Sequence, residues 1–143
     1  MASSLTWQAR IVAYTVHDGD TLTNVTIDQG WYVQRIHQSI RLTSSQGPVN
    51  APEVTGREAA AGLLVRDWVR DWLAMPGQLW LRSRSIDHDS RGRTVGDVLR
   101  DEAELGLVLL LRGLAKRCKA DGTRIPFTDD ELQRIVAQLG AKA

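Results

Sequence analysis

RIVAYTVHDGDTLTNVTIDQG, residues 10–30, contains two runs of strand-forming residues on either side of a short acidic turn. Residues 9–16 and 21–27 are rich in Val, Ile, Thr and Tyr, which favour a pleated, half-buried strand. The loop at 28–30, Asp-Gln-Gly, then leads into a third strand over 31–42. The start of the chain therefore predicts three strands joined by tight turns.

The third strand divides its side chains between two faces by the two-residue period of a strand. One face carries the apolar side chains of Ile36, Ile40 and Leu42. The other carries the polar side chains of Arg35, His37, Ser39 and Arg41. We therefore expect Arg41 to point away from the side that Ile40 and Leu42 occupy.

A helix follows the third strand. Thr55 and Glu58 have the spacing of a capping box, and the helix they open runs to about Ala74, before Pro76 and Gly77. Its apolar stripe consists of Val65, Trp68, Val69, Trp72 and Leu73.

The second half of the chain predicts two more strands, at 78–86 and 93–99, and then two helices. The first of these helices covers about 101–113 and is apolar over most of its length. The last covers about 128–139 and begins at the capping pair of Thr and Glu at its start. The segment 119–127 is a loop that leads to this last helix.

Five short strands with a helix between the third and the fourth fit the OB barrel. The predicted fold class is therefore α+β, a five-stranded OB-fold β-barrel with three helices. We predict a single domain over residues 1–143, with its core at about 7–119 and a C-terminal helix at about 128–139.

Composition limits the functional classes. The chain has 143 residues, 43% of them apolar, and a formal net charge of +1. So small a charge excludes a bulk attraction to nucleic acid or to an acidic membrane, and any polyanion site has to be local.

A single cysteine, Cys118, excludes an internal disulfide. No run approaches the roughly 18 apolar residues that span a bilayer, and no secretory signal is evident. We expect a cytoplasmic monomer with no membrane partner.

Four short motifs carry the functional signal: HDGDT at 17–21, IRLTSSQGPVNAPE at 40–53, DHDSRGRTVG at 87–96 and RGLAKR at 112–117. An acidic turn such as HDGDT is common on its own, because glycine accepts positive φ and aspartate bonds its own backbone. In order and type, however, the four motifs resemble the staphylococcal nuclease-like (thermonuclease) family. The resemblance covers about residues 10–119.

The resemblance implies a calcium-dependent phosphodiesterase, a nuclease that hydrolyses DNA or RNA with little sequence preference and leaves 3′-phosphate ends. It implies that Arg41 and Arg93 bond the phosphate oxygens, where the transition state concentrates negative charge. It gives Glu53 the task of orienting or deprotonating the attacking water.

The resemblance also implies where calcium and the substrate are held. The side chains of Asp20 and Asn50 and the backbone carbonyl of Ala51 are the implied ligands of Ca²⁺, which prefers oxygen donors of these types. Arg91 and Lys119 are the implied substrate-binding residues.

The chain departs from the family pattern in ways that keep alternatives open. Asn50 stands where the family usually has aspartate, which removes one negative charge and predicts weaker calcium binding. The segment between Arg41 and Asn50 is longer than usual, and it either bulges outward or displaces Asn50 and Glu53. A second hypothesis is therefore a nucleic-acid-binding or protein-interaction module that has kept the fold and lost the metal. A minor alternative rests on His17 and His88, each followed by aspartate, because His-Asp pairs are typical of some metal phosphohydrolases.

Overall fold

The computed structural model describes residues 7–88, 93–119 and 121–140. In that part of the chain the strands are β1 (Trp7–Asp18), β2 (Thr21–Gly30), β3 (Val33–Ser44), β4 (Gly47–Asn50), β5 (Leu79–His88), β6 (Thr94–Arg100), β7 (Ala103–Glu104) and β8 (Lys116–Arg117). The helices are α1 (Ala59–Ala74), α2 (Leu105–Leu111) and α3 (Asp129–Gly140), and a 3-10 turn, Gly56–Glu58, precedes α1. All five predicted strands and all three predicted helices are present.

Five of the strands close into a mixed β-barrel. β1 pairs antiparallel with β2 and β5, β2 pairs with β3, and β5 pairs with β6. A parallel pairing of β3 with β6, in which Arg41 lies opposite Val95, closes the ring. The predicted α+β OB-fold architecture is confirmed.

The turn of the β2–β3 hairpin lies later in the chain than predicted. Strand pairing continues through residues 28–30, with Gly30 opposite Val33, and Trp31 and Tyr32 form the turn. Both turn residues have positive φ, 54° and 63°. Positive φ at both central positions is what a two-residue turn needs to match the twist of the strands. The predicted loop at 28–30 was wrong because the pairing register, rather than turn preference, sets where this hairpin reverses.

A bulge in β3 changes which side chains face the core. The register against β2 shifts near His37, whose φ is 56°. Ile36 is 57% exposed, so its predicted place on the buried face was wrong. Beyond the bulge the alternation holds, because Ile40 and Leu42 are buried and Arg41 lines a surface cleft.

α1 ends where the sequence predicts, but its start is not a capping box. The Thr55 side chain makes no capping hydrogen bond. The Glu58 carboxylate instead accepts from the backbone N–H groups of Glu53, at 3.0 Å, and Phe127, at 3.2 Å. The capping prediction was therefore wrong, because Glu58 connects distant segments rather than closing its own turn.

The buried face of α1 packs against the barrel and α3. It consists of Ala61, Gly62, Val65, Val69, Trp72 and Leu73. Trp68, which the sequence placed in the same stripe, is only partly buried.

The other two helices match their predictions to different extents. α3 begins with the predicted capping pair, because the N–H of Thr128 donates to Glu131 Oε1 at 2.7 Å and the N–H of Glu131 donates to Thr128 Oγ1 at 3.2 Å. α2 is shorter than predicted. Asp101 has a φ of 54°, and Ala103–Glu104 pair with β6 before the helix begins. No helix in the described ranges is long and apolar enough to cross a membrane.

Candidate functional site

The acidic turn between β1 and β2 is pressed against the segment after β4 and against α1. Asp18 and Asp20 are both buried. A Cβ added to Gly19 would lie 2.7 Å from Ala51 Cβ and 2.7 Å from Val65 Cγ1. The φ of Gly19 is not positive, in contrast to the glycine of an isolated Asp-Gly turn. Glycine is therefore needed here for the close approach to Ala51 and Val65 rather than for its backbone conformation.

Asp20 connects the turn to two other segments. Its Oδ2 accepts from the backbone N–H of Ala51 at 2.8 Å, and its Oδ1 accepts from the Thr21 hydroxyl at 2.8 Å. Arg41 Nη1 lies 3.2 Å from Asp20 Oδ1 and donates to the Asp20 carbonyl oxygen at 3.3 Å. The predicted metal ligand is therefore held beside one predicted catalytic arginine.

Asn50 is fully buried at the end of β4. Its Nδ2 donates to the Ile125 carbonyl oxygen at 2.9 Å, whereas its Oδ1 has no hydrogen-bond partner among the described residues. Buried amide oxygens are nearly always satisfied, so this oxygen is an available ligand. The longer segment before Asn50 folds as a tight β3–β4 hairpin, with Ser44 opposite Gly47, and Asn50 keeps its place in the cleft.

Arg41 and Arg93 reach the same cleft because β3 and β6 run parallel. Ile40 lies opposite Thr94 in this pairing. Arg41 follows Ile40 and Arg93 precedes Thr94, so the two arginines lie near each other on neighbouring strands. Arg41 Nη2 also donates to Cys118 Sγ at 3.7 Å. Burial raises the pKa of the Cys118 thiol, which makes it a poor nucleophile at neutral pH.

Glu53 is placed by a close contact with α1. A Cβ added to Gly62 would lie 1.9 Å from the Glu53 carbonyl oxygen, so only glycine allows the helix to approach the loop this closely. The Glu53 side chain is 48% exposed. Its carboxylate is therefore accessible to solvent water.

Arg124, in the loop between β8 and α3, contacts three acceptor groups. Its Nη2 donates to the Ala51 carbonyl oxygen at 3.2 Å, and its Nε lies 3.2 Å from Glu53 Oε1 in an ion pair without a hydrogen bond. Both of its terminal nitrogens pair with the Glu58 carboxylate, Nη1 at 3.3 Å. Arg124 thus contacts both Ala51, a predicted metal ligand, and Glu53, the predicted water-activating residue.

Two pKa shifts reflect this pairing. Burial alone would raise the pKa of Glu58, but hydrogen bonds from Arg124 and from the backbone N–H groups of Glu53 and Phe127 outweigh it and lower the pKa. Burial alone would lower the pKa of Arg124, but its bonds and charge interactions with Glu58 and Glu53 raise it. The pair is therefore fully ionised at neutral pH.

Asp18 is a buried carboxyl group whose ionisation is suppressed. Burial, with the neighbouring charges of Asp20 and Glu53, raises the pKa of Asp18 to about 8. Its Oδ1 accepts from the Asp20 N–H at 3.2 Å, as expected of a residue that shapes the turn. Asp18 is therefore mostly protonated, and so uncharged, at neutral pH.

Most of the charged side chains described above line one open cleft of about 530 Å³. The lining residues, which define the site cleft, are His17, Asp18, Asp20, Thr21, Thr23, Ser39, Arg41, Asn50, Glu53, Arg93, Gly122 and Arg124. Six residues that the sequence analysis considered for chemistry therefore lie together, namely Asp20, Arg41, Asn50, Glu53 and Arg93 of the implied nuclease site and His17 of the minor alternative.

The remaining selected residues lie elsewhere or outside the described residues. Ala51 is buried beneath the cleft, and its carbonyl oxygen faces Arg124. Lys119 is exposed and lines a neighbouring groove with Arg117 and Cys118, so its role in substrate binding stays a prediction. Arg91 lies outside the described residues, and for His88 the structure describes only the backbone.

The oxygen donors fit calcium in type. Asn50 Oδ1 is unsatisfied, Asp20 supplies a carboxylate, and the Ala51 carbonyl has a second lone pair beyond the one used by Arg124. The described residues contain no group of three or more His, Cys, Asp or Glu side chains that could hold a metal ion. Calcium at this position would therefore depend on amide and carbonyl oxygens as well as carboxylate.

Sequence reasoning missed the network of Arg124 and Glu58. It treated 119–127 as a connection to α3, and it used Glu58 only as a helix cap. The available signal was the apolar Ile-Pro-Phe that follows Arg124, because Phe127 is buried and anchors the loop beside the cleft.

Comparison of the sequence with protein-family models and with curated proteins finds no match to either. The resemblance to the staphylococcal nuclease-like family therefore stays a prediction. Function is accordingly inferred from the residues of the site cleft.

Proposed function

We propose that the protein is a calcium-dependent phosphodiesterase, a nuclease that hydrolyses DNA or RNA with little sequence preference. The proposal is supported most by the presence of Arg41, Arg93 and Glu53 in one open cleft with Asp20 and the unsatisfied oxygen of Asn50. Phosphodiester hydrolysis needs cations for the phosphate and a carboxylate for the water, and this cleft contains both.

The two arginines would bind the phosphate. Arg41 is only 14% exposed and is held by Asp20, so its guanidinium is oriented before substrate arrives. Preoriented donors stabilise the charge that develops in the transition state without reorganisation during the reaction. Together Arg41 and Arg93 would bond the non-bridging oxygens and the leaving oxygen.

Glu53 would act on the water. The water oxygen forms a bond to phosphorus, and its proton goes to the Glu53 carboxylate or, if Glu53 only orients the water, to solvent. The bond from phosphorus to the 5′ oxygen breaks, and the leaving oxygen takes a proton from solvent. The products are a 3′-phosphate and a 5′-hydroxyl.

Asp20, Asn50 and Ala51 would hold the calcium ion, which when bound supplies positive charge to a phosphate oxygen. The backbone N–H of Ala51 donates to Asp20 Oδ2, which holds these two residues together before any ion binds.

The proposal is tested by incubating plasmid and single-stranded DNA with calcium and then with a chelator. We expect degradation with calcium and none with chelator. Arg41→Ala and Arg93→Ala should each lower the rate by about 10²-fold or more, since each removes a donor to the transition state. Arg134→Ala, which removes an exposed charge on α3, is the matched control and should keep the wild-type rate. Degradation that needs no calcium, or that survives both cleft variants, would overturn the proposal.

A second candidate function is an OB-fold module that binds nucleic acid without cleaving it. It is favoured by Arg124, which already engages the Ala51 carbonyl and the Glu53 carboxylate. Thermal unfolding with millimolar calcium, together with a DNA-binding assay, separates the two candidates. If calcium leaves the melting temperature unchanged and the protein still binds DNA, the module is favoured. If calcium raises the melting temperature, the enzyme is favoured.

A further inference from the structure

We infer that Arg124 is the internal counter-cation of the site cleft and that it lowers the affinity of the cleft for divalent cations. In the ion-free protein it bonds the Ala51 carbonyl, an implied calcium ligand, and pairs with the Glu53 carboxylate. The inference rests on the proposed function for the identity of the ion, calcium.

Arg124 contacts groups on two sides, one in the site cleft and the other in the 3-10 turn that precedes α1. On the cleft side it bonds the Ala51 carbonyl at 3.2 Å and lies 3.2 Å from the Glu53 carboxylate. On the other side it is anchored by Glu58, whose side chain is only 8% exposed. These contacts occupy most of its five N–H donors, so Arg124 has little capacity left to grip a phosphate.

The distance between the two cations determines the direction of the effect. An ion bound to the Ala51 carbonyl would lie about 2.4 Å from that oxygen, and Arg124 Nη2 lies 3.2 Å from the same oxygen. The two positive charges would therefore be at most about 6 Å apart. Even with the full screening of water, repulsion at that distance corresponds to about tenfold in affinity.

The anchor on Glu58 explains why the charge stays in place. Glu58 also accepts from the backbone N–H groups of Glu53 and Phe127, so it fixes both the loop after β4 and the loop before α3. An incoming cation would compete with Arg124 for the Ala51 carbonyl, while the pair with Glu58 keeps the guanidinium close to the ion. Arg124 would thus compete with the ion for ligands without being lost from the fold.

The experiment measures calcium binding directly, by isothermal titration calorimetry with calcium chloride. The main variant is the double substitution Glu58→Gln with Arg124→Met. It removes the ion pair as a neutral unit and keeps one amide oxygen at position 58, which can accept from one of the two backbone N–H groups. Arg124→Lys is the second variant, because lysine keeps a charge for Glu58 but lacks the fork that reaches Ala51 and Glu53 together. Arg134→Met removes the same charge from the exposed face of α3 and is the control.

The double variant should bind calcium about two- to fourfold more tightly than wild type, because the lost attraction of Glu58 offsets part of the relieved repulsion from Arg124. Arg124→Lys should shift the affinity in the same direction by less, and Arg134→Met should leave it unchanged. Weaker binding in the double variant would overturn the inference, because it would make Arg124 a residue that positions the ligands. Unchanged affinity, or no calcium binding by any of the proteins, would overturn it as well. If wild type fails to cleave DNA but the double variant binds calcium more tightly, the inference holds and the proposed function fails.

Discussion

Asn50→Asp tests the proposed ion site through two opposite effects on stability. Without calcium the variant loses the donor that bonds the Ile125 carbonyl at 2.9 Å. It also buries a carboxylate at a position with no solvent exposure. The lost hydrogen bond is worth about 1 kcal/mol, and the buried charge facing a carbonyl adds about 2 kcal/mol.

The unfolding free energy should therefore fall by about 3 kcal/mol, which lowers the melting temperature by about 10 °C for a chain of this size. Calcium should reverse most of this loss. The added carboxylate strengthens the site, and an ion at 100 times its dissociation constant adds about 2.7 kcal/mol.

The assay is thermal unfolding by circular dichroism in chelator and in calcium chloride. Asn24→Asp is the control, because Asn24 is exposed and the substitution adds the same charge away from the cleft. Two results would refute the reasoning. One is an Asn50→Asp variant that is as stable as wild type in chelator. The other is a rise in its melting temperature on addition of calcium that is no larger than the rise for Asn24→Asp.

Three further predictions concern single residues of the network. The lowered pKa of Glu58 means that its ionised form stabilises the fold above its unfolded pKa, and that this stabilisation is lost as pH falls through the lower folded value. Glu58→Gln should therefore cost about 2 kcal/mol at pH 7 and much less at pH 3, as measured by urea unfolding. Gly62→Ala places a Cβ 1.9 Å from the Glu53 carbonyl oxygen, so it should destabilise the protein by about 2 kcal/mol or more in the same assay, and a neutral effect would contradict the close contact. Because partial burial raises the pKa of Cys118, Ellman's reagent at pH 8 should label it more slowly than it labels the unfolded chain, and equal rates would contradict the raised pKa.

The elements of the fold were readable from local patterns because each has a local cause. The strands follow from β-branched runs, α1 ends before Pro76, and α3 begins at a capping pair that forms as predicted. The details that failed have non-local causes. The turn at Trp31 and Tyr32 follows from pairing register, and the bulge at His37 turns a predicted core residue outward.

The candidate site divides in the same way. Asp20, Arg41, Asn50, Glu53 and Arg93 were selected because short motifs mark them. Their convergence is non-local, since β2–β3 pairing places Thr21 opposite Arg41 and the parallel β3–β6 pairing brings Arg93 to the same cleft. Arg124 was missed because no motif marks it and because it reaches the cleft through the loop between β8 and α3. Gly19 was identified correctly as part of the turn, but its requirement comes from packing against Ala51 and Val65.

The central claim is tested most directly by the chemistry of cleavage. A single-stranded oligonucleotide is incubated with the protein and calcium in water labelled with ¹⁸O, and the products are analysed by mass spectrometry. The proposed function predicts fragments that end in 3′-phosphate carrying one ¹⁸O, with their formation strongly reduced in Arg41→Ala. No cleavage above the buffer level, fragments that carry 5′-phosphate instead, or undiminished cleavage by Arg41→Ala would contradict it.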